Sequence, residues 1–333
     1  MAKVIVFGSM NMDLSIEAER MPAAGETIAG RGFLTNPGGK GANQAVACAR
    51  LGAKTHMLAA VGADTFGDEL VADLEAAGVD CSRVVRTERE TTGVAVILRC
   101  AGDNRIVLHA GANHALGASE AEAALREVAA PGDVLVCQGE CDFDATLAAM
   151  HVAHELGLHV VYNPAPARAL PGAAWADIDL VCLNETESEA MCGVLPADEA
   201  SARAACERLR ALGARSVALT LGGAGSVGVD ERGSSAVVPA VALGKVLDTT
   251  AAGDTYIGAL AAGVVRGLSL EESMRWGTVA AGITVTRLGA QRAIPTAAEV
   301  AAAMEGVAHK WRAEAREERD GAKADSRPGR WHR

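Results

Sequence analysis

The chain has 333 residues, a formal net charge of −11, and 50% hydrophobic but only 3% aromatic residues. That length suits one large core with a small appendage, and the acidic balance argues against a duplex-binding surface. An anionic substrate stays open, because a helix N-terminus or a few local cations bind phosphate whatever the total charge.

The first strand is predicted in "KVIVFGS" (3–9), an apolar run far too short to span a membrane or direct export, and no later run is longer in that sense. Behind it come Asn11 and Asp13, two apart in extended chain and so pointing the same way. An amide and a carboxylate at a strand's C-terminal end can hold sugar hydroxyls; capping a turn is the plainer role for both. Residues 12–35 and 92–109 carry two-period alternation, with turn chemistry at Ala101-Gly102-Asp103-Asn104, and predict a small sheet projecting as a lid. "NPGGKGANQAVACARLGA" (36–53) places Gly38, Gly39 and Gly41 before a helix over 40–52. Those glycines would let a ligand reach backbone N–H groups. A tight turn feeding the helix carries equal weight, and Lys40 is not a P-loop lysine, since no GxxxxGK(S/T) occurs.

Further strands are predicted at 55–62, 133–139, 159–165, 180–185 and 216–223, with helices at 67–78, 143–156, 185–192 and 199–213. This β-α-β alternation predicts a mostly parallel sheet with helices on both faces and a ligand cleft at its C-terminal edge. "LNETESEAMCG" ends a strand at Asn184 and opens a helix with Glu185, Glu187 and Glu189, ordinarily dipole-compensating acids; a metal–phosphate role is the sharper alternative. "TLGGAGS" (220–226), with Gly222, Gly223 and Gly225, is by itself a weak nucleotide-loop signal. In "DTTAAGDTYIGALAAGVV" (248–265) the N–H groups of Ala251, Ala252, Gly253 and Asp254 open a helix among side chains too small to obstruct a ligand, which makes an anion hole. Asp254 at its rim is placed to remove a proton from a hydroxyl as that oxygen attacks a phosphorus held over the same groups. A simple capping acid ranks lower, because Gly253 and a second acid, Asp248, adjoin it. Residues 1–308 are expected to form the domain, and 309–333 a charged tail that frays into disorder. The eight cysteines include no CxxC pair and read as reduced, mostly buried residues of a cytoplasmic protein.

Together these segments, with "PAAGETIAG", "HAGAN", "NPAPAR" and "TRLGAQRAIPT", resemble the ribokinase family of PfkB-type sugar kinases from about residue 3 to 300. "GGKGANQA", "HAGAN" and "NPAPAR" point within the family to ribose kinases. The resemblance implies an α/β fold: a three-layer α/β/α domain with a mostly parallel central sheet and a β-sheet lid. It implies ATP-dependent phosphorylation of ribose at O5, with Asp254 as base and Ala251 to Gly253 as the anion hole. Asn11, Asp13, Gly39, Lys40, Asn43 and Glu140 match the family's sugar contacts. Asn184 and Glu187 match the pair that organises Mg2+ and its phosphates; Thr220, Gly222 and Gly225 match the nucleotide loop, and Thr278 falls near the adenine edge. A monovalent cation, usually K+, would sit by Asp248, Thr250, Thr284, Arg287 and Gly289, while Ala293 stands where a hydroxyl residue can supply a ligand. "QGECDFD" keeps Glu140 but departs from the family's Gln-Leu-Glu-x-Pro pattern at Gly139, Cys141 and Asp142. A homodimer paired through the lid is implied as well. Kinases for 2-deoxyribose, fructose, keto-deoxy-gluconate or a nucleoside such as adenosine are the alternatives on the same fold. A non-catalytic sensor is disfavoured by the intact Asp254, and a dehydrogenase by the lack of GxGxxG after the first strand.

Overall fold

Runs such as VIVF at 4–7 have no polar face, as befits strands covered on both sides. In the computed structural model, which describes residues 2–100, 103–307 and 311, such runs build the centre of a nine-stranded sheet. The first half of the chain forms β1 (Val4–Phe7), β2 (Asn11–Ala18), β3 (Arg31–Gly38), α1 (Lys40–Arg50), β4 (Thr55–Gly62), α2 (Thr65–Ala76), β5 (Val79–Thr87), β6 (Gly93–Cys100), β7 (Asp103–His109), α3 (Ala118–Val128), β8 (Val134–Gln138) and α4 (Phe143–Glu155). The second half forms β9 (His159–Asn163), β10 (Leu180–Leu183), α5 (Glu185–Cys192), α6 (Glu199–Leu212), β11 (Ser216–Thr220), β12 (Ser226–Val229), β13 (Ser235–Val238), α7 (Ala252–Val265) and α8 (Leu270–Thr284).

The main sheet runs β13-β12-β11-β10-β9-β8-β1-β4-β5, parallel from β11 to β5 and antiparallel at β12 and β13. Alternate residues of each central strand feed opposite cores. Val4, Val6, Val134 and Val136 pack with α1, α2, α7 and α8, whereas Ile5, Phe7, Leu135 and Cys137 pack with α3 to α6. The expected three layers are therefore present. No helix among the described residues is long and apolar enough to cross a membrane.

The lid is a second sheet of order β3-β2-β6-β7, rooted where β2 leaves β1 and matching the two segments that broke the helical rhythm. Of its expected turn, residues 101 and 102 lie outside the described residues. Sequence pattern gives no sign of β5, whose outer half is interrupted by exposed charge, or of β12 and β13, whose small and polar residues (SVGV and SAVV) make no apolar run of the strand's full length. It also missed α3 and α8. Of the expected tail, only Trp311 is described; it is buried, with the Arg275 guanidinium 4.8 Å from its ring, so packing continues past residue 308. All eight cysteines are free, and only Cys100 is not buried.

One helix contact sets the site. A Cβ built on Gly258 of α7 would lie 2.3 Å from the Ala47 Cβ of α1, so the two helices touch backbone to side chain. One turn earlier on each, Asp254 meets Asn43 and Gln44. We expect Gly258→Ala to lower the free energy of unfolding by about 1–3 kcal/mol, the usual penalty of overpacking, in a urea titration. Gly253→Ala, which adds a Cβ with no neighbour within 4 Å, should leave the same titration unchanged.

Candidate active site

The loop before α7 ends at Ala251 in the left-handed conformation (φ 60°, ψ 10°), the only non-glycine residue with positive φ among those described. A Cβ makes that conformation costly by about 1–2 kcal/mol, a strain of the kind found where backbone direction matters more than comfort. The turn leaves the Gly253 and Asp254 N–H groups without an acceptor among the described residues. Ala252 departs from expectation: its N–H donates to the Thr249 carbonyl at 3.2 Å, so it is satisfied within the loop.

Asp254 is nine-tenths buried. Its Oδ2 accepts from Asn43 Nδ2 and its Oδ1 from Gln44 Nε2, each at 3.0 Å. On one side stand Asp13 and Glu140. Burial, reinforced by the charges of Glu140 and Asp254, pushes the Asp13 carboxyl up from 3.8 to about 7. Gly38 makes room for that carboxylate, which would lie 2.4 Å from a Cβ there. Asn11 is oriented by Asn113, whose Nδ2 donates to Asn11 Oδ1 at 2.7 Å while its own Oδ1 accepts from the Met10 N–H at 2.8 Å. Glu140 accepts from Ser9 Oγ and from the Lys40 N–H, the latter at 3.0 Å.

The glycines ahead of α1 allow close packing. Gly39 (φ 91°) and Gly41 press against the Gly8–Asn11 turn. The first N–H groups of α1 are consumed inside the protein, Lys40 by Glu140, Gly41 by Ser9 Oγ and Ala42 by the Ser9 carbonyl. Those N–H groups are satisfied within the protein, which fits the tight turn feeding the helix, one of the two readings the sequence left open.

On the other side of Asp254 lies a cavity of about 230 Å³ walled by Lys40, Asn184, Glu187, Thr220, Gly253 and Asp254. Burial alone would lower Lys40, but Asp254, Glu140 and Glu187 hold its ammonium above the ordinary value. Asn184 and Glu187 form a capping box: Asn184 Oδ1 accepts from the Glu187 N–H at 2.9 Å and Glu187 Oε2 from the Asn184 N–H at 3.0 Å. The two capped residues also line the cavity. Burial keeps the Glu187 carboxyl above its ordinary range. Gly222 (φ 51°) and Gly223 are open to solvent and border a second hollow of about 480 Å³ with Glu185 and Leu221. Gly225 (φ 108°) is instead locked by packing, its Cβ position 2.2 Å from the Val238 carbonyl. Thr278 does not line the cavity with Asp254; it sits one turn before Gly282, which packs on Val241 and Leu243.

The residues expected near a monovalent cation also converge. Asp248 Oδ1 accepts from the Thr250 N–H (2.9 Å) and hydroxyl (2.6 Å), and Oδ2 from the Gly289 N–H at 3.1 Å. The Arg287 N–H donates to the Thr284 carbonyl at 3.1 Å, while the Arg287 guanidinium pairs with Glu299 at 2.6 Å. Ala293 is buried and brings no oxygen from its side chain.

Residue-by-residue reading missed Ser9, Gln44, Asn113, Gln138 and Asn163. Asn113 and Asn163 lie within motifs already singled out, "HAGAN" and "NPAPAR", but nothing local says which distant group each amide faces.

The architecture and this cavity at the C-terminal edge of a parallel sheet agree with a family match. The pattern of pfkB family carbohydrate kinases covers residues 1–297. The chain belongs to the pfkB carbohydrate kinase family. Among other pfkB proteins, it is 37% identical to a ribokinase of Haemophilus influenzae over 295 residues, 88% of this chain and 95% of that protein. It is 38% identical to a ribokinase of Schizosaccharomyces pombe over 310 residues, 90% and 97% of the two chains. The solved structure of an Arabidopsis thaliana ribokinase complexed with ribose and ATP superposes with a TM-score of 0.84 at 29% identity, over 90% of this chain and 98% of that one.

In this pfkB chain the Asp13 environment yields a direct test. The fold disfavours ionised Asp13, so the stability it contributes is complete below its unfolded value near 4 and is lost as pH rises through about 7. Asp13→Asn should therefore match the unsubstituted chain in urea midpoint at about pH 4 and exceed it increasingly toward pH 8.

Proposed function

We propose that this kinase transfers the γ-phosphoryl group of ATP to the O5 hydroxyl of ribose. The observation that carries the reading is Asp254, fixed by two donors between the carboxylate cluster of Asp13 and Glu140 and the cavity beside the free N–H groups of α7. Asn11, Asp13, Asn43 and Glu140 hold the sugar, with the Gly39 backbone at the wall. Asp254 takes the proton from O5 as that oxygen forms its bond to the γ-phosphorus and the bond to ADP breaks. The N–H groups of Gly253 and Asp254, with the turn at Ala251 and Ala252 that exposes them, receive the equatorial oxygens, and Lys40 adds its charge. The ribokinases among its relatives support ribose as the acceptor.

Thr220 and the open Gly222 and Gly223 line the nucleotide's path, with Gly225 shaping the turn and Thr278 toward the base. No group of three or more metal-ligating side chains occurs among the described residues, which fits Mg2+ carried mainly by phosphate oxygens and water, with Asn184 and Glu187 as its protein anchors. The metal would neutralise the charge that develops on the transferring group. K+ fits the Asp248, Thr250, Thr284, Arg287 and Gly289 loops, where the Asp248 carboxylate draws Thr250 and Gly289 together; Ala293 leaves one position to water.

A second copy of the chain fits the lid, where Phe33, Ile106 and Val107 are 60%, 59% and 72% exposed on a four-stranded sheet. Free, buried thiols and an acidic surface support a cytoplasmic enzyme whose partners are small molecules rather than nucleic acid.

Asp254→Asn should bind ATP normally yet release ADP from MgATP and ribose about two to four orders of magnitude more slowly, and the unsubstituted enzyme should turn over faster in potassium than in sodium. Turnover of 2-deoxyribose or adenosine above ribose would move the substrate assignment. Val107→Asp should convert a dimer to a monomer in sedimentation velocity.

A further inference from the structure

We propose that Gln44 is a positioning residue, which keeps the Asp254 carboxylate aimed by means of a buried amide relay across the ends of neighbouring strands; this rests on the reading of Asp254 as the base. Gln44 is fully buried in α1. Its Nε2 faces Asp254 Oδ1 at 3.0 Å and Asn163 Oδ1 at 3.3 Å, and its Oε1 accepts from Gln138 Nε2 at 2.8 Å. Asn163 Nδ2 donates in turn to the Cys182 carbonyl at 3.0 Å. Cys182, Asn163 and Gln138 belong to β10, β9 and β8, three strands side by side in the sheet.

The relay has only one workable polarity. A peptide carbonyl accepts and never donates, so Asn163 must turn its NH2 to Cys182 and its oxygen to Gln44. Gln44 must then present its own NH2 to Asn163 and, with the second hydrogen, to Asp254. Because Asn43 donates to the other oxygen, a proton on Asp254 in line with either bond would meet an N–H. Loss of a donor from a carboxylate oxygen favours the protonated form of such a group. Gln138 fits the same polarity at its own expense: its Oε1 is buried without a partner among the described residues, in a space left open by Gly8. Turning that amide over would set two oxygens against each other at Gln44, so the unsatisfied oxygen is the lesser penalty.

The test measures kcat at saturating ribose and MgATP across pH, per nucleotide-binding site, for the unsubstituted enzyme, Gln44→Met, Gln138→Met and Asp254→Asn. Asp13, Glu140, Glu187 and Lys40 face the same space and are unchanged in the two amide variants, so a displacement between those profiles reports the lost donor. Gln44→Met keeps the side chain's length but removes a hydrogen bond to a charged group. It should lower kcat about ten- to a hundredfold, move the acid limb to higher pH, and leave the KM for MgATP within about twofold. Gln138→Met, which touches neither Asp254 nor the sugar, should move the limb the same way by less. A fall in rate with the acid limb unmoved, or an unchanged rate, would reduce Gln44 to packing and overturn the proposal. If Gln44→Met does not fold, the limb in Gln138→Met decides alone. Near-normal turnover by Asp254→Asn would instead remove the base, a failure separate from that of the relay.

Discussion

A base that works beside a phosphate-binding helix end meets a conflict. The partial positive charge by which a helix start draws phosphate also stabilises a carboxylate beside it and weakens that group's pull on a proton. Phosphoryl transfer tolerates this, because its transition state is loose and catalysis rests mainly on positioning and charge stabilisation, so position counts for more than basicity. Geometry here answers that demand through the α1–α7 contact. Gly258 lets the helices close to the point where Asn43 and Gln44, on one turn of α1, reach the two oxygens of one carboxylate. A looser helix pair would keep the same residues and lose the aim.

Glycine does two opposite jobs around this site. At Gly38, Gly39, Gly41 and Gly225 the absent Cβ lets protein approach protein, and any side chain would strike backbone or the Asp13 carboxylate. At Gly222, Gly223 and Gly253 nothing stands where the Cβ would be. Only the second group leaves room that a ligand could use. Sequence shows both as glycine-rich loops before or near a helix, and the distinction exists only in the third dimension.

That difference marks how far the sequence is legible. Long buried strands, such as β4 and β8, and helices with a clear apolar face announce themselves by period, and the lid does so by breaking it. Strands β12 and β13, at one end of the main sheet, mix small and polar residues and draw their stability from pairing, which leaves no local trace. In the site, Asp254 is readable because an acid among tiny residues at a helix start is chemically odd. Gln44, Gln138 and Asn163 are ordinary amides in chain segments separated by up to 119 residues, and their meaning comes from the strand order that gathers them. At the α1 N-terminus the sequence left two readings open for a related reason: free N–H groups are a property of every helix start, and Glu140 and Ser9, remote in sequence, decide whether they remain free.

The charge balance fits an anion site of the proposed kind, made from backbone at the start of α7. Asp13, Glu140, Glu187 and Asp254 crowd one cationic side chain, Lys40, in a chain of net charge −11. Additional lysines or arginines would attract phosphate, but they would also pair with the carboxylates that a neutral, hydroxyl-rich sugar needs as acceptors. N–H groups at a helix end attract anions without carrying a mobile formal charge, and they cannot swing over to a neighbouring acid. The strained turn at Ala251 and the bare Gly253 keep those groups facing the cavity. Acceptors for hydroxyls and donors for phosphate can then stand on either side of Asp254 without neutralising each other, which is the arrangement a sugar kinase requires.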